Sequence, residues 1–238
     1  MGPAEGHHYA PNVGKCAQNP MSLTSFNAQP FHKVVSELTA TDPAHDIEHI
    51  LRVVANASRI GQQEGANMDV VLPAAWLHDC ISLPKNSPDR AQSSTLAAVE
   101  ARRILETMDY PEQWLEDIQH AIEAHSFSAA IAPRSLEAQV VQDADRLDGI
   151  GAIGIARCFA VGGVLGSSLY SADDPFCTQR QPADKTFCVD HFYQKLLGLC
   201  DTMQTAAGAR EAKRRTQAMR IYLRELEREI SLPAGQSS

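Results

Sequence analysis

The 238-residue sequence lacks several features, and each absence excludes a class of protein. No apolar run approaches the roughly 20 residues that cross a bilayer, and the first 15 residues lack the apolar core of a secretory signal. The six cysteines form no CxxC pair and no tight framework, which indicates reduced thiols, most of them buried. We therefore expect a cytoplasmic protein with no membrane partner.

The sequence also lacks an excess of basic residues. Its formal net charge is −8, with 21% charged and 44% apolar residues. A general nucleic-acid-binding protein would carry a basic surface, so no nucleic-acid partner is expected. The negative net charge of the whole chain does not exclude a small anionic substrate, because a local basic pocket could bind it. The length and composition are those of a globular protein with one sizeable core.

No strand pattern of any length and no internal repeat is present, whereas apolar residues recur at helical spacing from segment to segment. Asp42, before Pro43, and Asp69 are predicted to cap helices, and Ser135 is predicted to begin a further helix. The segment 70–80 is short and apolar, which predicts a central helix, and two further helices are expected at about 185–206 and 207–230. The sequence therefore predicts an all-α fold.

Composition divides the chain into four parts. Residues 1–29 are rich in Gly, Pro, Asn and Ser and are expected to be a disordered extension, for which Met21 is an alternative start. Residues 30–160 form the predicted helical core. Residues 161–232 hold a long loop and the C-terminal helices, packed on the same domain, and residues 233–238 form a flexible tail.

Three predicted helices carry an ordered set of metal-ligand residues: His49, the adjacent pair His78–Asp79, and Asp145. Imidazole nitrogens and carboxylate oxygens together suit a divalent ion, which makes hydroxide available near neutral pH. Each residue alone has a plainer explanation, since a single helical histidine is usually structural or exposed and an adjacent His-Asp arises by chance. Neighbouring acids such as Asp143 and Asp148 are typical of a solvated face. The ordered set within apolar surroundings favours a metal site.

The strings HDxxHxxRV, LHDC and QDADRLDxIGAIGIAR place this set in a longer pattern. The pattern resembles the HD-domain metal-dependent phosphohydrolases, most closely small single-domain bacterial members with nucleotide pyrophosphohydrolase-like character, over residues 30–225. The resemblance implies an HD-domain helical bundle with additional C-terminal helices. It also implies one divalent ion (Mn, Mg, Zn, Fe, Co or Ni) with the ligands His49, His78, Asp79 and Asp145. Asp143 is then expected to orient a ligand or water, or to be exposed.

A phosphate substrate needs cations and donors near the ion. The expected substrate-binding residues are Lys85, Asn86, Arg90, His125, Ser126 and Arg146. Arg146 has a structural ion pair as its alternative role. His120 and His125 diverge by about 140° on one helix, so a shared ion is disfavoured and His120 is interpreted as structural. His45 lies one turn before His49 and is assigned either to the site edge or to solvent.

The expected function is metal-dependent hydrolysis of a phosphate ester or anhydride of a small phosphorylated substrate, a nucleotide in the leading hypothesis. Asp79 is the expected catalytic residue, which orients or deprotonates the attacking water. A di-iron oxygenase, which needs a fuller histidine set, and a non-catalytic nucleotide-binding module are the alternatives. The segment after Asp145 that contains Gly149, Gly151 and Gly154, together with the C-terminal helices, could form the interface of a homodimer.

Overall fold

The computed structural model describes residues 26–39, 47–81, 83, 89–126 and 128–231. Within them it has no β-strand, only one isolated bridge between Ser168 and Phe187. The fold is therefore all-α, as predicted. The helices are α1 (Gln29–Thr39), α2 (Ile47–Glu64), α3 (Met68–Leu77), α4 (Ser93–Thr107), α5 (Leu115–His125), α6 (Leu136–Asp148), α7 (Gly151–Leu165), α8 (Cys188–Gln194) and α9 (Ala206–Ile230). Short 3-10 turns cover Arg90–Gln92, Glu112–Trp114 and Leu196–Thr202.

Helix α3 is the central element of the bundle. Every residue from Val70 to Leu77 is buried, and α3 packs against α1, α2, α4, α5 and α6. A helix that is apolar on all sides is stable only when neighbours surround it, so the prediction of a central helix is confirmed. Because α2 and α6 pack on each other and on α3, residues from these three helices can meet at one point.

The helix starts agree only in part with the sequence-based expectation. Ser135 caps α6, because its side chain accepts the backbone N–H of Ala138 at 3.1 Å. Asp69 lies in the first turn of α3, but its predicted role as the cap is wrong: Asn67 is the cap, and its side chain accepts the N–H of Asp69 at 3.0 Å. Asp42 and Pro43 lie outside the described residues, as do residues 1–25 and 232–238.

The predicted helix at 185–206 is wrong, because the chain there folds as two shorter pieces. Helix α8 ends at Gln194, and Lys195 leaves helical geometry with φ −138° and ψ −58°. The chain then continues as the 3-10 turn Leu196–Thr202, which buries Leu196 and Leu199. The long loop, expected at the start of the part 161–232, begins only after Leu165.

The cysteines also differ from expectation. Cys80, Cys158, Cys177 and Cys200 are half-buried free thiols, and Cys188 is the one fully buried cysteine within the described ranges. The expectation that most would be buried is therefore wrong, while their reduced state agrees with the prediction. Burial raises the pKa of Cys80 to about 12 and that of Cys158 to about 11, so these two thiols are protonated and unreactive near neutral pH.

No single described helix is long and apolar enough to cross a membrane. Helices α6 and α7 reach that length and composition only when counted together, across a bend of 60°.

Two glycines of α7 should respond in opposite ways to substitution by alanine. A Cβ atom at Gly154 would lie 2.3 Å from the backbone oxygen of Gly149, whereas a Cβ atom at Gly163 meets nothing within 4 Å. We expect Gly154→Ala to lower the free energy of unfolding by about 1–3 kcal/mol through overpacking. Gly163→Ala, the matched control, should raise it by about 0.5–1 kcal/mol. Urea denaturation of both variants measures the difference, and equal stabilities would contradict it.

Candidate metal centre

The adjacent pair His78–Asp79 lies at the C-terminal end of α3. The helix ends at Leu77, His78 is its C-cap, and Asp79 follows in a turn. Neighbouring residues within a helix point about 100° apart, but this restriction relaxes where the helix ends. His78 Nε2 and Asp79 Oδ2 consequently face the same space, 3.7 Å apart.

His49 of α2 and Asp145 of α6 meet the same pair. His49 Nε2 lies 3.3 Å from His78 Nε2, 3.7 Å from Asp79 Oδ2 and 3.6 Å from Asp145 Oδ1. Asp145 Oδ1 is 4.0 Å from His78 Nε2. Atoms that each lie about 2.1 Å from one ion are separated by roughly 3–4 Å. The structure thus brings His49, His78 and Asp79 together at spacings that a single ion fits, and it places Asp145 within 4.0 Å of both histidines.

The hydrogen bonds on the far side of both imidazole rings fix their protonation. His78 Nδ1 lies 2.8 Å from the carbonyl oxygen of Ala75, and His49 Nδ1 lies 2.7 Å from Asp148 Oδ2. These oxygens only accept, so both Nδ1 atoms carry a proton, and in a neutral ring each Nε2 then presents a lone pair. When both rings are neutral, two lone pairs face each other at 3.3 Å and repel. A cation between them removes that repulsion, and the residues present therefore fit a divalent metal.

Burial and charge act differently on the two histidines. Burial lowers the pKa of His78 to about 4, so this ring is neutral at pH 7 and its lone pair is available. Burial alone would also lower the pKa of His49. The hydrogen bond to Asp148 and the charges of Asp145 and Asp79 outweigh it, and the pKa of His49 is raised. The cluster therefore attracts positive charge, which a metal supplies in place of a proton.

Asp148 is a residue of this site that the sequence analysis missed, because it was interpreted as part of a solvated face. It is fully buried and contacts His49, Arg52 and Arg157. Burial would raise the pKa of Asp148, but its hydrogen bonds to His49 and Arg52 hold that pKa far below its usual range. The available signal was spacing, since Arg52 follows His49 and Asp148 follows Asp145 by three residues, which places each pair on one helix face.

Asp143 does not have the role expected of it. Its carboxylate is buried and accepts the N–H groups of Gln204 and Thr205 at 2.9 and 2.8 Å and the hydroxyl of Thr205 at 2.7 Å. It therefore ties α6 to the start of α9, and it is neither exposed nor hydrogen-bonded to a ligand residue. Asp148 orients His49 instead, because it lies one helical turn beyond Asp145, while Asp143 points to a different face.

His125 is the substrate-binding candidate that the structure brings to the cluster. It is buried at the end of α5, and its Nδ1 lies 2.6 Å from the carbonyl oxygen of Ile122. Its Nε2 lies 3.6 Å from Asp79 Oδ1. Ser126 follows as the half-buried C-cap. His120 instead accepts the backbone N–H of Arg134 at 2.9 Å, which agrees with its interpretation as structural.

The remaining candidates have other positions. Arg146 donates to the carbonyl oxygen of Thr202 at 2.6 Å, so its guanidinium group joins α6 to the C-terminal segment, and it also interacts electrostatically with Asp143 and Asp145. The backbone of Arg90 starts a 3-10 turn, and its side chain lies outside the described residues. His45, Lys85 and Asn86 also lie outside them. Among the side chains that the structure describes, Arg52 and Arg157 are cations beside the cluster, and both guanidinium groups are partly exposed.

Comparisons with known proteins agree with this geometry. Residues 46–150 match the HD domain family. The Bacillus subtilis protein YpgQ, itself uncharacterised, is 35% identical over 201 residues, which cover 83% of this chain and 90% of YpgQ. A crystal structure of an HD-superfamily hydrolase from Bacillus thuringiensis superposes with a TM-score of 0.67 at 32% identity, covering 84% and 95% of the two chains. The structure of YpgQ in complex with ADP gives 0.66 at 33% identity, covering 87% and 96%.

Proposed function

The chain belongs to the HD-domain family of metal-dependent hydrolases, and from that premise we propose that it hydrolyses a phosphate ester or anhydride of a nucleotide. The observation that carries the proposal is the facing pair of Nε2 atoms of His49 and His78, 3.3 Å apart. Asp79 and Asp145 complete a set of two nitrogen and two oxygen ligands. Such a set accepts Mn, Mg, Zn, Fe, Co or Ni.

The bound ion would supply a Lewis acid for a phosphoryl oxygen and a water of lowered pKa. Asp79 is the candidate proton acceptor for that water, since its two carboxylate oxygens face different groups. Oδ2 faces the imidazole nitrogens of His49 and His78. Oδ1 faces His125 Nε2 at 3.6 Å. A proton taken by Asp79 can therefore pass toward His125, which is buried beside it.

The phosphate groups of the substrate would be held by the cations around the cluster. Arg52 and Arg157 are anchored by one buried carboxylate, Asp148, so their guanidinium groups are positioned before any substrate arrives. Two guanidinium groups and a divalent ion offset the three carboxylates of Asp79, Asp145 and Asp148, which leaves the centre attractive to an anion. Lys85, Asn86 and Arg90 remain further candidates on the segment after Asp79, with His125 and Ser126 as pocket lining.

A nucleotide is the proposed substrate because YpgQ, similar over most of both chains, has been crystallised with ADP. The metal centre by itself requires only that the substrate contain a phosphoryl group. The identity of the base and the number of phosphates are therefore determined by experiment.

The test uses metal-stripped protein reloaded separately with each of the six divalent ions. Each form is incubated with nucleoside mono-, di- and triphosphates and with non-nucleotide phosphate esters, and released phosphate and pyrophosphate are quantified separately. We expect hydrolysis of at least one nucleotide, none without metal, and one ion per chain by elemental analysis. Tight nucleotide binding without turnover under every metal would identify a binding module instead. Two irons per chain with oxygen consumption would identify an oxygenase.

A further inference from the structure

The last turn of α6 carries two carboxylates of the metal centre, the candidate ligand Asp145 and Asp148, which hydrogen-bonds to His49. The last four carbonyl groups of an α-helix have no N–H partner within the helix. Such a turn frays unless other groups bind these carbonyl oxygens. The directions of the two carboxylates therefore depend on what holds this turn in place.

A side chain from the C-terminal helix α9 binds this turn. Arg215 Nη1 donates to the carbonyl oxygen of Leu147 at 2.6 Å. Its Nη2 donates to Asn56 Oδ1 at 2.9 Å, and Asn56 Nδ2 donates to the carbonyl oxygen of Ala144 at 3.3 Å. These two carbonyl groups belong to the peptide groups that lead directly into the two carboxylate residues. One guanidinium group thus holds both peptide groups, the first directly and the second through Asn56 of α2.

The third nitrogen of the same guanidinium group fixes its orientation. Arg215 Nε donates to Glu211 Oε1 at 2.8 Å, one turn earlier on α9. Hydrogen bonds from Arg214 and Arg215 lower the pKa of Glu211 to about 2, so this carboxylate is charged at neutral pH. Each nitrogen of Arg215 has a different partner, and the planar group cannot rotate without breaking at least one of these hydrogen bonds.

Burial distinguishes Arg215 from its neighbour Arg214. Both arginines bind Glu211, but the side chain of Arg215 is 16% exposed and that of Arg214 is 69% exposed. Removing a guanidinium group from water is costly unless its donors are paired. The ion pair with Glu211 does not require burial, as Arg214 shows. The buried position of Arg215 is therefore explained by its contacts with Leu147 and Asn56.

The junction between α6 and α7 leaves room for the same side chain. Gly151 has φ +76°, and a Cβ atom there would lie 3.0 Å from Cβ and 3.1 Å from Cγ of Arg215. A glycine accepts both this backbone conformation and this close approach. The aliphatic stem of Arg215 consequently packs on the backbone just beyond α6. The hydrogen bonds and the glycine are independent observations that place Arg215 against the end of α6.

We propose that Arg215 is a positioning residue of the metal centre, which holds the peptide groups before Asp145 and Asp148 and so keeps both carboxylates directed at His49. The inference rests on the proposed function, because it requires that the cluster bind a divalent ion. It gives α9, which lies outside the family match at residues 46–150, a part in metal binding. Arg215 contributes to that binding through the backbone of α6.

The test is the metal affinity of the metal-stripped full chain, measured by calorimetry with whichever of the six ions wild type binds most tightly. Arg215→Met keeps the aliphatic stem but removes every donor, and we expect it to weaken binding about tenfold. Arg215→Lys retains one donor group and should weaken binding at least about threefold. It replaces Arg215→Met if that variant does not fold. The matched control, Arg214→Met, removes a hydrogen bond to the same carboxylate and should bind metal within about twofold of wild type.

A second measurement separates positioning from simple destabilisation. The visible absorption spectrum of Co²⁺-loaded protein responds to the arrangement of ligands around the ion. We expect this spectrum to change in Arg215→Met and to coincide with wild type in Arg214→Met. Urea denaturation of the metal-free proteins measures their stability. If Arg215→Met is less stable but has the metal affinity and the spectrum of wild type, Arg215 only joins α9 to α6, and the proposal is overturned while the proposed function stands. If wild type binds none of the six ions, both fail.

Discussion

Asp79→Asn should reduce phosphohydrolase turnover at least about 1,000-fold while the protein keeps its helical fold. Asparagine preserves the shape of the side chain but removes the negative charge that faces His49 and His78 at 3.7 Å. It also removes the proposed proton acceptor. Metal-ion catalysis contributes several kcal/mol to a reaction of this class, and about 4 kcal/mol corresponds to three orders of magnitude in rate. Initial rates at saturating metal and nucleotide measure the effect.

The control for this loss is a carboxylate–histidine pair outside the cluster. Asp184 Oδ2 lies 3.0 Å from His191 Nδ1, and both side chains are partly exposed. Asp184→Asn removes a charge of the same kind and should leave the rate within about twofold of wild type.

His78→Ala should behave like Asp79→Asn, because the ring supplies one of the two facing nitrogens. Near-normal rates in folded, metal-supplemented His78→Ala or Asp79→Asn protein would refute the metal-centre assignment.

Asp148→Ala should weaken metal binding by about 10- to 100-fold, the usual cost of losing a carboxylate that orients a histidine ligand. The variant removes the acceptor of the His49 Nδ1 proton, so the ring loses both its orientation and the tautomer that leaves Nε2 unprotonated. It also releases Arg52 and Arg157 from their shared partner. Titration of the metal-stripped protein by calorimetry measures the affinity.

The conservative variant separates this role from simple destabilisation. Asp148→Asn retains a side-chain oxygen that can accept from His49, so metal affinity should recover at least in part relative to Asp148→Ala. The two arginines would lose an ionic partner in both variants. Equal metal affinity in wild type and Asp148→Ala would show that Asp148 serves only the packing of α2, α6 and α7.

Much of the fold could be predicted from helix caps and from the helical spacing of apolar residues. Both features depend only on residues that are close together in the sequence. Ser135 caps α6 as predicted, since an N-cap needs only a side-chain oxygen and an N–H three residues later. The wrong cap at Asp69 has the same cause, because Asn67, two residues before, competed with it locally. The break at Lys195 could not be predicted in this way. It depends on burying Leu196 and Leu199 against elements distant in the chain.

By itself, the sequence determined the all-α class, the central position of α3, and the candidate ligands His49, His78, Asp79 and Asp145, since composition, helical spacing and motif strings are properties of the linear chain. Only the tertiary structure decided which neighbouring groups form hydrogen bonds with those four residues. Asp143 and Asp148 are both aspartates on α6, yet one accepts the N–H groups of Gln204 and Thr205 just before α9 and the other hydrogen-bonds to His49. The physical reason is that a hydrogen-bond partner is set by direction and distance in space. Those depend on how helices from distant parts of the chain pack together, which no local pattern encodes.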